Sequence, residues 1–360
     1  MVNKNIIIDE FKSLVKKLKN DLTLADKEKN AINFKIRNFI KVIKSLENYP
    51  ENIITSSEQV KDLDGIGKGT LTRIDEIIKT GKLAESHIEI KSEDASKAKI
   101  IDDLMTITGI GPAKALELYN KNITLDILLK EYKNNNNKTE VLNALTHHQI
   151  IGLKYYKQFQ KRIPREKISK INTKIQKLLL KFKKNNKITD DIVAIICGSY
   201  RRGLSESGDI DLLISGKSDS GFDLIEFVKF LTEEGLIIDY LTEKGTTKFM
   251  GVSIGGYRID IRFILKESFG AALMYFTGSK TFNTLVRAEA LRQGYTLEEY
   301  GLYPLIKDKD DKKKVGHSHQ HLKGERIPCP SEEYIFDILH INTKYLDPVN
   351  RDLPENIGTL

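Results

Sequence analysis

Apolar residues recur at helical spacing near the start of the chain: Ile7, Phe11, Leu14, Val15 and Leu18, then Ile32, Phe39, Ile40, Ile43 and Leu46. This predicts two helices within residues 7–48, the second stopped at Tyr49-Pro50. Residues 84–100 are polar and are expected to form a linker, with a domain boundary near residue 93. Residues 167–185 read as a Lys-rich helix, whose plainest role is a solvated face. The period then changes. Ile192-Val193-Ala194-Ile195-Ile196-Cys197 is short and β-branched, so it predicts a buried strand. A second strand runs from Gly208 through Ile214, a helix over about 222–234 and a strand over Leu236–Asp239. Tyr257–Ile264 alternates, with Arg258, Asp260 and Arg262 on one face and Ile259, Ile261 and Phe263 on the other. Residues 331–339 begin with a capping box and predict the last helix.

Composition narrows the picture a little. The 360 residues can bury more than one core. A net charge of +8 favours an anionic partner, though weakly by itself. Cys197 and Cys329 supply neither metal spacing nor a disulfide framework, which fits a reducing compartment. No apolar run is long enough to span a membrane, and the first residues lack a signal core. His147-His148 is a poor metal pair and is expected to be structural. The charged, His-rich stretch 307–326 reads as a solvated tract.

The chemistry concentrates in residues 198–211. Gly198-Ser199 breaks the first strand at its carboxyl end, and Arg201-Arg202 follow, which makes a small anion-binding turn. Asp209 and Asp211 share one strand face, roughly 7 Å apart. Asp260 adds a third carboxylate at mid-strand. Asp-x-Asp alone is common on solvated strands, and a carboxylate between two arginines is commonly a surface ladder; the combination is what points to a Mg2+-nucleotide. Earlier in the chain, Gly65-Ile66-Gly67 and Gly109-Ile110-Gly111 lie 44 residues apart, each followed by a helix-like segment. Such glycines let a backbone approach phosphate closely, and the next helix offers free N–H groups. This is a helix-hairpin-helix pattern that grips DNA backbone without reading bases. Lys35, Arg37, Lys41 and Lys44 are interleaved with the preceding helix.

Together, Gly198-Ser199-Tyr200-Arg201-Arg202-Gly203 with Asp209, Asp211 and Asp260, the stretch Tyr275-Phe276-Thr277-Gly278-Ser279, and the paired hairpins resemble the DNA polymerase X family, of the polymerase beta type. The resemblance runs from about residue 30 onward. It implies an α+β fold: a helical DNA-binding part, then a nucleotidyltransferase palm with a mixed sheet and flanking helical subdomains. The implied division is 1–93 for DNA-end binding, 94–167 for duplex binding, 168–266 for the catalytic palm and 267–360 for nucleotide selection. No stretch resembles an extra N-terminal interaction module. By the same resemblance Asp209, Asp211 and Asp260 hold two Mg2+ ions, about 3.5–4 Å apart, with Mn2+ able to substitute. Ser199, Arg202, Gly208 and Arg165 take the triphosphate, and Tyr275, Phe276, Gly278 and Asn283 line the deoxynucleotide. Arg287 meets the template, and Lys248 and Arg258 the primer. Lys35, Gly65, Gly67, Lys68, Gly109 and Gly111 contact DNA. Backbone at Lys61, Leu63, Ile66, Met105, Ile107 and Ile110 holds a monovalent cation, Na+ or K+.

The implied function is template-directed filling of short gaps in DNA repair by a monomer. Its partners are gapped or nicked duplex DNA and dNTPs, without a membrane. The setting is intracellular, nuclear in a eukaryotic cell, or host cytoplasm or virion if viral. The rival readings are a template-independent terminal transferase and a catalytically silent DNA-binding module. One departure concerns a second family activity, 5′-deoxyribose phosphate lyase. Arg73 stands where the family has its Schiff-base lysine, and a guanidinium is a poor amine nucleophile. Lys68, Lys79 and Lys82 are the nearby amines. The hairpin Ser253-Ile254-Gly255-Gly256 before Asp260 is also short.

Overall fold

The early apolar stripe folds as two helices, α1 (Lys4–Leu24) and α2 (Lys29–Glu47), in a computed structural model that describes residues 2–24, 29–86, 92–135, 139–189, 191–243, 245–306 and 322–353. The chain divides into two compact units, residues 1–144 and 145–360. In the first unit, Phe11, Leu14, Phe39, Val42 and Leu46 close a core with Ile74 and Ile77 of α3 (Lys68–Thr80). The expected linker over 84–100 gives way to structure at its C-terminal end: α4 (Ser92–Met105) begins inside it. Ile101 and Leu104, three apart, are fully buried, and that apolar pair anchors a helix that is otherwise mostly polar. The boundary near 93 thus falls in the first turn of α4. Then follow α5 (Pro112–Asn120) and α6 (Leu125–Asn135).

The second unit opens with α7 (His147–Lys154), started by a capping box between Thr146 and Gln149. The Lys-rich helix α8 spans Arg165–Asn186, so the boundary expected at 167/168 lies within it. A five-stranded sheet follows: β1 (Val193–Ile196), β2 (Ile210–Gly216), β3 (Ile237–Tyr240), β4 (Lys248–Ser253) and β5 (Tyr257–Leu265). Their order is β1-β2-β5-β4-β3, with β2 and β5 parallel and the other pairs antiparallel. Helix α9 (Leu224–Glu233) lies between β2 and β3 in sequence.

Alternation assigns the two faces of this sheet. Ile210, Leu212, Ile214, Ile259 and Ile261 bury against Ile171, Ile175, Leu178 and Phe182 of α8 and Phe227, Val228 and Leu231 of α9. Leu213 and Ile264 point the other way and pack with Cys197, Ala272 and Leu273. Burial pushes the Cys197 thiol up to about 12, in keeping with an inert core residue. The chain continues through α10 (Phe269–Thr277), α11 (Lys280–Arg292), the hairpin β6 (Tyr295–Glu298) and β7 (Gly301–Ile306), β8 (Leu322–Lys323) and α12 (Glu332–Leu339). Phe282, Val286, Phe336, Leu339 and Tyr345 make the core here. The capping box expected at α12 does not form. Ser331 is the N-cap by position but makes no side-chain bond to the backbone; its hydroxyl goes to the Glu333 carboxylate. Residues 307–321 of the His-rich tract lie outside the described residues.

Candidate active site

The parallel register of β2 and β5 sets Asp211 directly beside Asp260. Asp209 stands two residues before Asp211, just ahead of β2, and each carboxylate offers an oxygen within 4.8 Å of the others. Residue 260 is therefore on the same side of the sheet as 209 and 211. Three negative charges at this spacing repel by about 3–4 kcal/mol per pair at an effective dielectric near 20. Burial, with Asp260 second, raises Asp211 to about 7. Burial also raises Asp260, whose Oδ1 is buried without a hydrogen-bond partner among the described residues. Arg258 donates to Asp209, and its charge partly offsets the effect of burial on Asp260. Clustered oxygens, a raised acid and an orphaned carboxylate oxygen are the donor set of a hard divalent cation, so the residues present fit Mg2+ or Mn2+.

The turn after β1 is shaped around Asp211. Gly198–Arg201 is a single helical turn. Gly198 has φ +56, and a Cβ there would strike the Asp211 carboxylate. The Cys197 amide also donates to the Asp211 carbonyl at 2.7 Å. A cleft of about 670 Å³ opens beside the carboxylates. Ser199, Arg202, Gly208, Tyr275, Phe276, Gly278, Asn283 and Arg287 line it. Asn283 donates to the Tyr275 carbonyl at 2.7 Å, the Arg287 guanidinium lies 5.0 Å from the Tyr275 ring centre, and Phe276 meets Tyr275 edge-on.

Of the other lining residues, Arg162 has no signal in the sequence, and Thr277, Lys280 and Thr284 lie in or beside the motif at 275–283 without a role read from it. Arg162 occupies the place given to Arg165. The Arg165 side chain turns behind the cleft, where it donates to the Tyr200 carbonyl at 2.5 Å and lies 4.2 Å from the Tyr200 ring centre. Both arginines flank Ile163-Pro164, and the start of α8 at Arg165 decides which one faces the cleft.

Behind the cleft, a buried ion network fixes the Arg-Arg turn. Arg201 donates to both oxygens of Glu332, at 3.2 and 2.8 Å, and to the Thr277 hydroxyl at 2.7 Å. Arg351, fully buried, donates to Glu332 at 2.7 Å. Arg202 donates to the Thr277 carbonyl at 2.7 Å and to Asp352 at 2.8 Å. The Gly278-Ser279 peptide is cis, and the Ser279 hydroxyl donates to the Arg351 carbonyl at 2.6 Å. On β4, Lys248 pairs across to Arg262 and stays exposed. His147 meets the Tyr240 carbonyl at 2.9 Å, in keeping with a structural role.

In the other unit the two hairpins repeat one backbone design. Gly65 and Gly109 have φ +85 and +91. The Ile66 amide donates to the Leu63 carbonyl and the Ile110 amide to the Ile107 carbonyl, at 3.1 and 3.0 Å. Each of those carbonyls keeps a second lone pair for a cation. Gly67 and Gly111 are the N-caps of α3 and α5 and provide no side-chain cap, so first-turn N–H groups stay available to phosphate. Lys35 and Lys68 are exposed; Lys61 is exposed and paired with Glu58, and Met105 is exposed. Arg73 is engaged on all sides: two bonds to Glu85 at 3.0 and 2.9 Å, one to the Gly69 carbonyl at 2.8 Å, and the Phe39 ring at 5.3 Å.

Comparison with known proteins follows this layout. A family profile described as helix-hairpin-helix domain matches residues 9–83, one described as DNA polymerase beta palm matches 162–265, and one described as DNA polymerase beta thumb matches 272–352. DNA polymerase lambda of Arabidopsis thaliana is 32% identical over 339 residues, covering 88% of this chain and 57% of the relative. DNA polymerase lambda of Rattus norvegicus is 26% identical, covering 87% and 52%. DNA polymerase/3′-5′ exonuclease PolX of Bacillus subtilis (strain 168) is 26% identical, covering 75% and 45%. The chain thus spans about half the length of the curated relatives it matches. With hairpin, palm and thumb matched in order around the three carboxylates, the chain belongs to the DNA polymerase X family, of the polymerase beta type.

Proposed function

We propose that this protein is a template-directed DNA polymerase that fills short gaps during DNA repair, adding a deoxynucleotide to a primer 3′-hydroxyl. The observation that carries the reading is the meeting of Asp209, Asp211 and Asp260 beside a cleft lined by arginines and aromatic rings. Divalent ions held by these three side chains supply Lewis-acid charge for the attacking and leaving oxygens. Asp260 Oδ1, buried and unpartnered, accepts the primer hydroxyl proton. Ser199, Arg202 and Arg162 hold the outer phosphates, and Gly208 gives them room. The α-phosphorus then faces in-line attack, so the protein acts mainly by positioning charge. Tyr275 and Phe276 wall the sugar and base, with Tyr275 excluding a ribose 2′-hydroxyl; Gly278 and Asn283 shape that wall. Arg287 meets the template, and Lys248 and Arg258 the primer. The hairpins hold gapped or nicked duplex through backbone N–H groups, with a monovalent cation on the Leu63 and Ile107 carbonyls. The enzyme works as a monomer in an intracellular setting. Plant, mammalian and bacterial relatives offer no support for a viral one. Position 73 offers no amine for a lyase step, so trapping with borohydride on an abasic nick is expected to report a different residue or none.

Extension of a one-nucleotide gap with each dNTP separately tests the proposal. Addition of only the templated nucleotide is expected, and Asp260→Ala is expected to lose about 10⁴-fold in rate, the upper range for acid-base groups, while DNA affinity stays within twofold. Indiscriminate addition would mark a terminal transferase, and no extension a silent DNA clamp.

A further inference from the structure

Helix α8 carries a row of charge that the catalytic reading does not use. Lys167, Lys170, Lys174, Lys177, Lys181 and Lys184 recur every three or four residues, so they form one stripe, roughly 26 Å long. Residues 165–187 hold nine Lys and Arg against one Glu, a net +8, which equals the net charge of the whole chain. The other residues balance to zero. A solvated helix face commonly interleaves both signs, because like charges one turn apart oppose the helix. Here five successive like-charge neighbours are tolerated. Among the described residues Lys167, Lys177 and Lys184 form no ion pair; Lys170 pairs with Glu166, and Lys181 with Glu234.

The stripe also faces away from the cleft. The apolar side of α8 packs on the sheet face of Ile210, Leu212 and Ile259, whereas Asp211 and Asp260 alternate onto the opposite face. DNA bound at the carboxylates therefore does not lie along α8. We propose that this stripe is a second binding surface for the phosphate backbone of duplex DNA, holding an intact segment while a gap occupies the cleft. Regularly spaced lysines on flexible stems suit the even charge array of a duplex, which is bound without base reading. Leu180 is the one large apolar side chain this helix exposes, too small an edge to insert into a membrane, since Ile168, Ile171, Ile175, Leu178, Leu179 and Phe182 are all buried. It presents no arginine fork along the stripe for carboxylates of an acidic peptide. The inference goes beyond the polymerase reading and shares only its DNA partner.

The test uses the full chain saturated with a short gapped hairpin DNA, and a labelled intact 25-base-pair duplex as probe. Fluorescence anisotropy is read between 50 and 200 mM salt, beside gap filling on the short hairpin. The variant is Lys167→Gln/Lys177→Gln/Lys184→Gln. Binding of the intact duplex is expected to weaken at least tenfold, and the slope of log affinity against log salt to flatten by about 3, one unit per lost contact. Gap filling and melting temperature are expected to hold. Unchanged duplex binding in the variant, or stripe-dependent binding of polyglutamate or phosphatidylserine vesicles without duplex binding, overturns the proposal. Loss of gap filling in the parent chain would instead sink the polymerase reading and leave the duplex result readable.

Discussion

On the proposed reading, the hairpins and the cleft handle the same kind of ligand by different means. In the hairpins the backbone makes the site: Gly65 and Gly109 turn the chain, and side chains are nearly irrelevant, as two copies with different sequences keep one bonding pattern. In the cleft the side chains make the site, and the backbone must yield to them. Gly198 is a glycine so that Asp211 has somewhere to sit, and Arg201 is aimed by Glu332, which lies 131 residues away. A backbone site grips any phosphate and is tolerant of side-chain change. A side-chain site can do chemistry, and it depends on contacts from distant parts of the chain.

The difference can be broken on either side. Gly198→Ala drives a methyl into the Asp211 carboxylate at a backbone angle that disfavours one. A displacement of about 1 Å at a reacting centre costs roughly 100-fold, so single-turnover incorporation should fall by that much with DNA affinity kept. Gly65→Ala is the mirror test. Its φ of +85 disfavours alanine by about 1 kcal/mol, so DNA affinity should weaken roughly fivefold while the rate at saturating DNA stays within twofold. Loss of rate from Gly65→Ala at saturating DNA would mean that the hairpin shapes the chemistry. Asp352→Ala has the smallest effect. It frees one edge of Arg202, and a partly exposed pair is worth up to about 1 kcal/mol, so KM for dNTP should drop about threefold with kcat steady. A raised KM would mean that Asp352 aims Arg202 at the phosphates.

What the sequence revealed follows the same division. Glycine spacing and strand alternation are local, so both hairpins and the set Asp209, Asp211 and Asp260 are legible from the residues alone. Glu332, Arg351 and Asp352 are not, because their value lies in partners 19 to 150 residues away. Arg162 and Arg165 look equivalent around Ile163-Pro164, and only the start of α8 separates them. The stretch 84–100 reads as polar because α4 buries a narrow apolar pair, Ile101 and Leu104. Ser331 reads as opening a capping box, yet the third helical position is Tyr334, which has no carboxylate to close it, and the Ser331 hydroxyl goes to Glu333 instead.

The account stands on three carboxylates that share divalent ions. Mn2+ binding to the full chain, followed by electron paramagnetic resonance from pH 5.5 to 8.5, tests this most directly. Asp211, raised to about 7, is protonated below that pH and charged above it. Mn2+ must displace this proton, so its affinity should fall about tenfold per pH unit below 7 and level off above. Asp211→Asn should remove both the binding and its pH dependence. Affinity that ignores pH, or tight Mn2+ binding that survives Asp211→Asn, would contradict the account.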